Sequence, residues 1–143
     1  MYRHILIPTD GSKLAEHGVT HGLALAHSVG AKVSVIFVVE PFSEMTGRFL
    51  EAVATYAELR KEQAVTTLDH AANAAKEAGV SCETIQVENG QPHQAILAAA
   101  EDKGCDLIVM SSHGRSGLSM LLIGSVTNKV LAQAKIPVLV CRP

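Results

Sequence analysis

Short apolar runs alternate with longer amphipathic stretches along the whole chain. The runs at residues 5–7, 33–39, 82–87, 107–110 and 137–141 are too short for helices, so they predict strands, most of them buried on both faces. Between them, apolar residues recur every three or four positions, which predicts helices. This alternation is typical of a parallel sheet covered by helices. We therefore expect an open, doubly wound α/β fold with helices on both faces of the sheet.

Capping and breaking residues mark the ends of the helices. Ser12 can cap the first helix and Gly30 can end it. A long second helix is predicted over residues 50–79, with an alanine-rich stripe that we interpret as core packing. Pro92 suits the first position of a third helix that ends near Gly104. In the first helix the buried stripe is expected to consist of Ala15, Val19, Leu23 and Ala26.

Composition and charge narrow the class of protein. The chain has 143 residues, and we expect residues 1–143 to form a single domain with its own core. A net charge of -2 without a basic stripe argues against nucleic acid as a partner. The cysteines lie far apart and form no CxxC pair, so neither a disulfide framework nor a zinc site is predicted. Without a signal peptide or a membrane-spanning run, we expect a soluble cytoplasmic protein.

Two polar loops follow apolar runs and carry the candidate chemistry. Pro8-Thr9-Asp10 follows the first predicted strand, and residues 111–117 follow the fourth. Farther along, Gly124-Ser125 predicts the start of the fourth helix. Free N–H groups at a helix start, together with the positive end of the helix dipole, can bind an anion, and glycines let it approach closely. These features predict a bound phosphate.

Two common nucleotide motifs are absent from the sequence. The phosphate-loop pattern GxxxxGK[ST] is missing, and Val126 follows Gly124-Ser125, so there is no lysine for the phosphates here. The dinucleotide fingerprint fails because Ser112 takes the place of its first glycine. No residue qualifies as a general base with a defined partner. We therefore expect ligand binding, with slow turnover at most.

At these residues the chain resembles the universal stress protein family. Nucleotide-binding members carry glycine, two residues, glycine, nine residues, glycine and then serine or threonine directly after their fourth strand. Here Gly114 and Gly124-Ser125 match the later parts, with residues 115–123 as the nine between them. Ser111 stands where the family has its first glycine. The similarity runs from residues 5–10 to residues 137–140.

The resemblance implies both a topology and a ligand. The strand order would be 3-2-1-4-5, which brings the loops after the first and fourth strands to one crevice. ATP would lie there, with magnesium held mainly through its phosphates. The residues implied around adenine and ribose are Pro8, Thr9, Asp10, Val38 and Met110. Those implied at the phosphates are Ser111, His113, Gly114, Arg115, Gly124, Ser125, Val126 and Thr127.

Some of these residues have a second interpretation. Asp10 can contact the ligand, satisfy the turn before the first helix, or do both. His113 and Arg115 can contact phosphate or be ordinary solvated loop residues. If the family's first glycine is needed for a positive φ angle, Ser111 stores strain. If it only provides room, the serine hydroxyl is accommodated and can donate to a phosphate.

The function implied by the resemblance is that of a stress-response sensor or regulator. The alternatives are a protein of the same fold that lacks ATP binding and acts through protein contacts, or a slow ATPase. Ser111 favours the first alternative, whereas the spacing from Gly114 to Ser125 favours ATP binding. Residues 138–141 are expected at a sheet edge with unpaired backbone groups. The resemblance implies a homodimer formed through this last strand.

Overall fold

Strands and helices alternate in the computed structural model, which describes residues 1–41, 50–114 and 122–143. In chain order the elements are β1 (His4–Pro8), α1 (Lys13–Val29), β2 (Lys32–Val39), α2 (Leu50–Glu77), β3 (Cys82–Glu88), α3 (Pro92–Asp102), β4 (Leu107–Ser111), α4 (Ser125–Gln133) and β5 (Val138–Cys141). The strands and helices predicted from the sequence are thus confirmed. Within these residues no helix has the length and apolar character needed to cross a bilayer.

The strands form one parallel sheet in the order β3-β2-β1-β4-β5. Ile5 of β1 lies opposite Val33 of β2 on one side and Leu107 of β4 on the other. The strand order therefore reverses between β1 and β4, as the family resemblance implied. At such a reversal the loops beyond the carboxyl ends of the two strands diverge to opposite faces and leave a crevice.

The core consists of two apolar layers, one on each face of the sheet. Side chains alternate along each strand, so Ile5 and Ile7 pack under α1 and α2 while Leu6 packs under α3 and α4. Ile108 and Val109 of β4 divide between the layers in the same way. This double burial explains why the central strands are continuous apolar runs in the sequence.

Two glycines of helix α1 let it pack directly against the sheet. Gly18 and Gly22 are buried, and a Cβ atom on Gly18 would lie 2.9 Å from the backbone nitrogen of Ser111. The predicted stripe of α1 is correct at Ala15, Leu23 and Ala26, whereas Val19 is only partly buried. Close approach through glycine has no hydrophobic signature, so the sequence pattern did not reveal it.

A buried histidine lies at the amino-terminal end of strand β1. His4 hydrogen-bonds through Nε2 to the Ser34 hydroxyl at 2.7 Å and through Nδ1 to the Lys103 carbonyl at 3.0 Å. Burial lowers the pKa of the His4 side chain below its ordinary value of 6.5. Asp106 lies beside it and accepts the backbone N–H of His4 at 3.0 Å. This cluster lies at the amino-terminal ends of the strands, whereas the crevice lies at their carboxyl ends.

The cysteines of the chain are free thiols. Cys105 and Cys141 are buried, and burial raises the pKa of the Cys105 thiol to about 11. Burial also raises the pKa of Cys141. Because the reactive form is the thiolate, the raised pKa and the burial both lower the reactivity of these two residues.

Candidate functional site

The loops after β1 and β4 meet at the strand-order reversal. A Cβ atom on Gly114 would lie only 2.5 Å from Oδ2 of Asp10, so the bare glycine backbone makes room for that carboxylate. The described parts of the two polar loops singled out in the sequence, residues 8–10 and 111–114, therefore lie together. Residues far apart in the chain meet here because β1 and β4 are neighbours in the sheet.

A cavity of about 530 Å³ opens at this point, a size typical of small-ligand pockets. It is lined by every described residue that the sequence and the family resemblance assigned to the ligand. These are Pro8, Thr9, Asp10, Val38, Met110, Ser111, His113, Gly114, Gly124, Ser125, Val126 and Thr127. Arg115 lies outside the described residues.

The loop after β1 is organised by its own side chains. Oδ1 of Asp10 accepts the backbone N–H of Ser12 at 3.0 Å, and the Ser12 hydroxyl accepts the N–H of Ala15 at 3.1 Å as the cap of α1. The Thr9 hydroxyl accepts the N–H of Gly11 at 3.3 Å. Asp10 thus satisfies the turn, while its other oxygen faces Gly114 at the cavity.

Helix α4 begins at the cavity with an uncapped first turn. Gly124 is the N-cap residue and has no side chain to accept the first N–H groups of the helix. Its own N–H donates to the Ser112 carbonyl at 2.7 Å, which fixes the helix start against the end of β4. The first-turn residues Ser125, Val126 and Thr127 line the cavity. Their N–H groups and the positive end of the helix dipole can therefore bind an anion.

The Ser111 side chain is turned towards α1. Its hydroxyl donates to the Leu14 carbonyl at 2.6 Å and accepts the Gly18 N–H at 2.9 Å. In the described residues a positive φ occurs only at glycines, so Ser111 carries no strain of that kind. The interpretation that this position needs a positive φ angle is therefore wrong for this chain. Accommodation of the serine beside a phosphate stays a prediction. In this structure the hydroxyl proton is directed to the Leu14 carbonyl, so donation to a phosphate would require that bond to break.

Two further loop side chains stabilise the loop itself. His113 is 2% exposed, and its Nδ1 hydrogen-bonds with the Ser112 hydroxyl at 2.9 Å. The Thr127 hydroxyl donates to the Ser111 carbonyl at 2.9 Å, which ties α4 to the end of β4. Both residues line the cavity, and these contacts join residues 111–113 to one another and to the first turn of α4.

The cavity also includes residues that the sequence analysis missed. Arg60 is one, although it stands between Ala57 and Ala64 in the apolar stripe of α2, where a charged residue is unusual. It is only 6% exposed, and its guanidinium lies 5.1 Å from the centre of the Phe37 ring and hydrogen-bonds to Gln63. A polar residue inside an apolar stripe is the signal that could have found it. The other lining residues include Ile36, Glu40, His93, Ile96 and Lys129.

No cluster suited to a directly bound metal occurs among residues 1–41, 50–114 and 122–143. A cluster of this kind would consist of at least 3 histidine, cysteine or acidic side chains. The site therefore combines an apolar wall, backbone N–H groups and single charged side chains.

Fold and cavity together define an open, doubly wound α/β protein with a ligand-sized crevice at its strand-order reversal. The sequence profile of the universal stress protein family matches residues 1–142. The chain belongs to the universal stress protein family.

Individual relatives agree with this assignment. Universal stress protein MJ0531 of Methanocaldococcus jannaschii is 37% identical over 145 residues, which cover 99% of this chain and 83% of the relative. The solved structure of MJ0577 superimposes with a TM-score of 0.78 at 31% identity, covering 100% of this chain and 97% of that one. A universal stress protein solved in complex with cAMP gives a TM-score of 0.70 at 25% identity, covering 99% and 97%.

Proposed function

We propose that this protein binds ATP with magnesium in the cavity and acts as a cytoplasmic sensor or regulator of stress. The observation that carries the proposal is the uncapped first turn of α4, whose N–H groups border a cavity next to Gly114 and Asp10. A phosphate is the ligand that such N–H groups bind best. Arg115 is proposed to neutralise part of the phosphate charge.

An apolar part of the cavity lining suits a flat base. It belongs to the core layer under α3 and α4. Its members are Ile36, Val38, Ile96 and Met110. An apolar slot beside an anion-binding helix start is complementary to a molecule with an aromatic base at one end and phosphates at the other.

The carboxylate of Asp10 also lines the cavity. It is partly exposed, and its Oδ1 accepts the Ser12 N–H of its own turn. We propose that this carboxylate accepts a ribose hydroxyl when a nucleotide is bound. Magnesium, when bound, would neutralise phosphate charge and be held mainly through the phosphates. The relative in complex with cAMP supports an adenine nucleotide as the ligand class.

Ser111 is compatible with this proposal. It was the one feature that favoured loss of ATP binding, but its hydroxyl bonds to α1 and need not be displaced by a ligand. A slow ATPase needs a general base, and none is defined at the site. Binding without efficient hydrolysis is therefore the proposed activity.

The proposed assembly is a homodimer of single-domain chains, joined through β5. This strand is at an edge of the sheet, next to β4. Leu139 on it is 37% exposed, an apolar surface that a second copy could cover. An edge strand with unpaired backbone groups favours pairing with another strand.

A thermal melt with and without millimolar Mg-ATP tests the proposed function. A ligand that binds only the folded state raises its stability by about 2.7 kcal/mol at a hundredfold excess over Kd. We expect a higher Tm with Mg-ATP and a smaller shift when EDTA removes magnesium. Absence of both a Tm shift and a calorimetric signal would favour the alternative function, in which the protein does not bind ATP and acts through protein contacts.

A further inference from the structure

His93 is a buried polar residue on the apolar side of the cavity. It is in the first turn of α3 and only 6% exposed. Three residues farther along the same helix face lies Ile96, which is part of the apolar wall. The imidazole ring therefore lies beside the slot proposed for the base.

Within the described part of the chain, neither ring nitrogen of His93 has a hydrogen-bond partner. No polar side-chain atom of these residues is both fully enclosed and unpaired, so each ring nitrogen of His93 keeps some accessible surface, and the residue lines the cavity. Burying a polar ring without a partner is unfavourable, and proteins generally satisfy such groups with a ligand or water. His93 is thus more than nine-tenths buried, lines the cavity and has ring nitrogens that a bound ligand could pair.

The charged side chains that line the cavity belong to elements other than α3. Arg60 lies over Phe37, in the core layer of the opposite sheet face. Asp10 lies beside Gly114, in the loop after β1. Lys129 and Glu40 are exposed at the rim. His93 is therefore a mostly buried polar side chain on the helix that also carries Ile96, from which it could contact the edge of a base.

We propose that His93 recognises the purine ring by a hydrogen bond to its edge and so determines which base the site prefers. This inference rests on the proposed nucleotide binding. A neutral imidazole has one donor and one acceptor nitrogen, and a purine edge offers both kinds of partner. The apolar side chains of the slot bind any flat ring, so discrimination between bases needs such a polar contact.

The test compares His93→Leu with His93→Gln, which keeps a donor and an acceptor. Gln94→Ala, an exposed neighbour outside the cavity lining, is the matched control. Each protein is titrated with Mg-ATP, with purine riboside triphosphate, which lacks the 6-amino group, and with 7-deaza-ATP, which lacks N7. Melts without nucleotide confirm that each variant is folded.

We expect His93→Leu to weaken Mg-ATP binding about five- to tenfold, with partial recovery in His93→Gln and no change in Gln94→Ala. At least one analogue should bind the natural protein more weakly than ATP, and that difference should vanish in His93→Leu. Unchanged ATP affinity in a folded His93→Leu protein overturns this inference but not the proposed function. The same holds if His93→Leu weakens ATP and both analogues by the same factor. A natural protein that binds no nucleotide overturns the proposed function, and this inference with it.

Discussion

The backbone N–H of Gly18 donates to the hydroxyl of Ser111 at 2.9 Å, and the same hydroxyl donates to the Leu14 carbonyl at 2.6 Å. Leu14 and Gly18 are four residues apart, and in a regular α-helix the Gly18 N–H would donate to the Leu14 carbonyl. A side chain at the end of β4 is thus inserted at one turn of α1. The bare Cα of Gly18 allows this approach, since a Cβ there would lie 3.1 Å from the hydroxyl oxygen.

Replacing Ser111 should therefore destabilise the fold rather than relieve strain. We expect Ser111→Ala and Ser111→Gly each to lower the free energy of unfolding by about 1–3 kcal/mol, because buried backbone groups lose their partner. Urea unfolding with an unchanged m-value measures the change. Ser28→Ala is the control, since the Ser28 hydroxyl also bonds a carbonyl of α1, at 3.1 Å, but is exposed. A Ser111→Gly protein more stable than the natural one would contradict the contact described above.

Ligand binding should depend on the bare backbone of Gly114. In Gly114→Ala the new Cβ would lie 2.5 Å from Oδ2 of Asp10, so the carboxylate must rotate away. The backbone can stay in place, and we expect an intact fold with Mg-ATP affinity lowered at least about tenfold, or roughly 1.4 kcal/mol. Calorimetric titration measures the affinity.

A double-mutant cycle with Asp10→Ala tests the cause of this loss. If Gly114→Ala acts by displacing the carboxylate, it should have almost no further effect once the carboxylate is removed. Losses that simply add in the double variant would show that the two residues act independently.

Dimer formation should depend on the outward backbone of β5. The carbonyls of Pro137 and Cys141 accept N–H groups from Ile108 and Ser112 of β4. In a parallel ladder the direction alternates, so the backbone of Val140 faces away from β4, towards the free edge. Val140→Pro removes an N–H on that side and should give monomers in sedimentation or light scattering.

Val140→Ala is the matched control for this experiment, because it loses the same side-chain packing but keeps the N–H group. We expect it to remain dimeric. A folded Val140→Pro protein that is still a dimer would rule out pairing through this edge.

Stability should fall in mildly acidic solution because of His4. Burial is the main cause of its lowered pKa; nearby Lys32 lowers it further, whereas Glu83 and Asp106 raise it. As pH falls below about 6.5, His4 binds a proton in the unfolded chain but not yet in the folded protein. Neutral buried His4 therefore contributes its full stability above that pH. This contribution is lost as pH decreases towards the pKa of His4 in the folded protein. Urea unfolding from about pH 7.5 to about pH 5 measures this loss.

His4→Gln should reduce the slope of stability against pH over this range, whatever its effect at neutral pH. His27→Gln, at an exposed position in the last turn of α1, should keep the natural slope. Equal slopes for His4→Gln and the natural protein would exclude His4 as the titrating group.

The sequence by itself determined the strands, the helices and most of their ends. Double burial makes Leu107–Met110 a continuous apolar run, and local chemistry makes Ser12 a cap and Gly124 a helix start, so each is visible without its distant neighbours. The strand order was implied by family resemblance rather than by periodicity. The sequence also contains the small, polar residues that mark the loops after β1 and β4.

Only the tertiary structure decided which partners the polar side chains have. The Ser111 hydroxyl bonds to α1 because β1 and β4 are neighbours and Gly18 lets the helix approach, a contact between residues 93 positions apart. Arg60 and His93 are buried because their helices turn these positions towards the sheet. A hydrogen-bond partner or a burial depends on what packs opposite a residue, and the order of amino acids along one element does not contain that information.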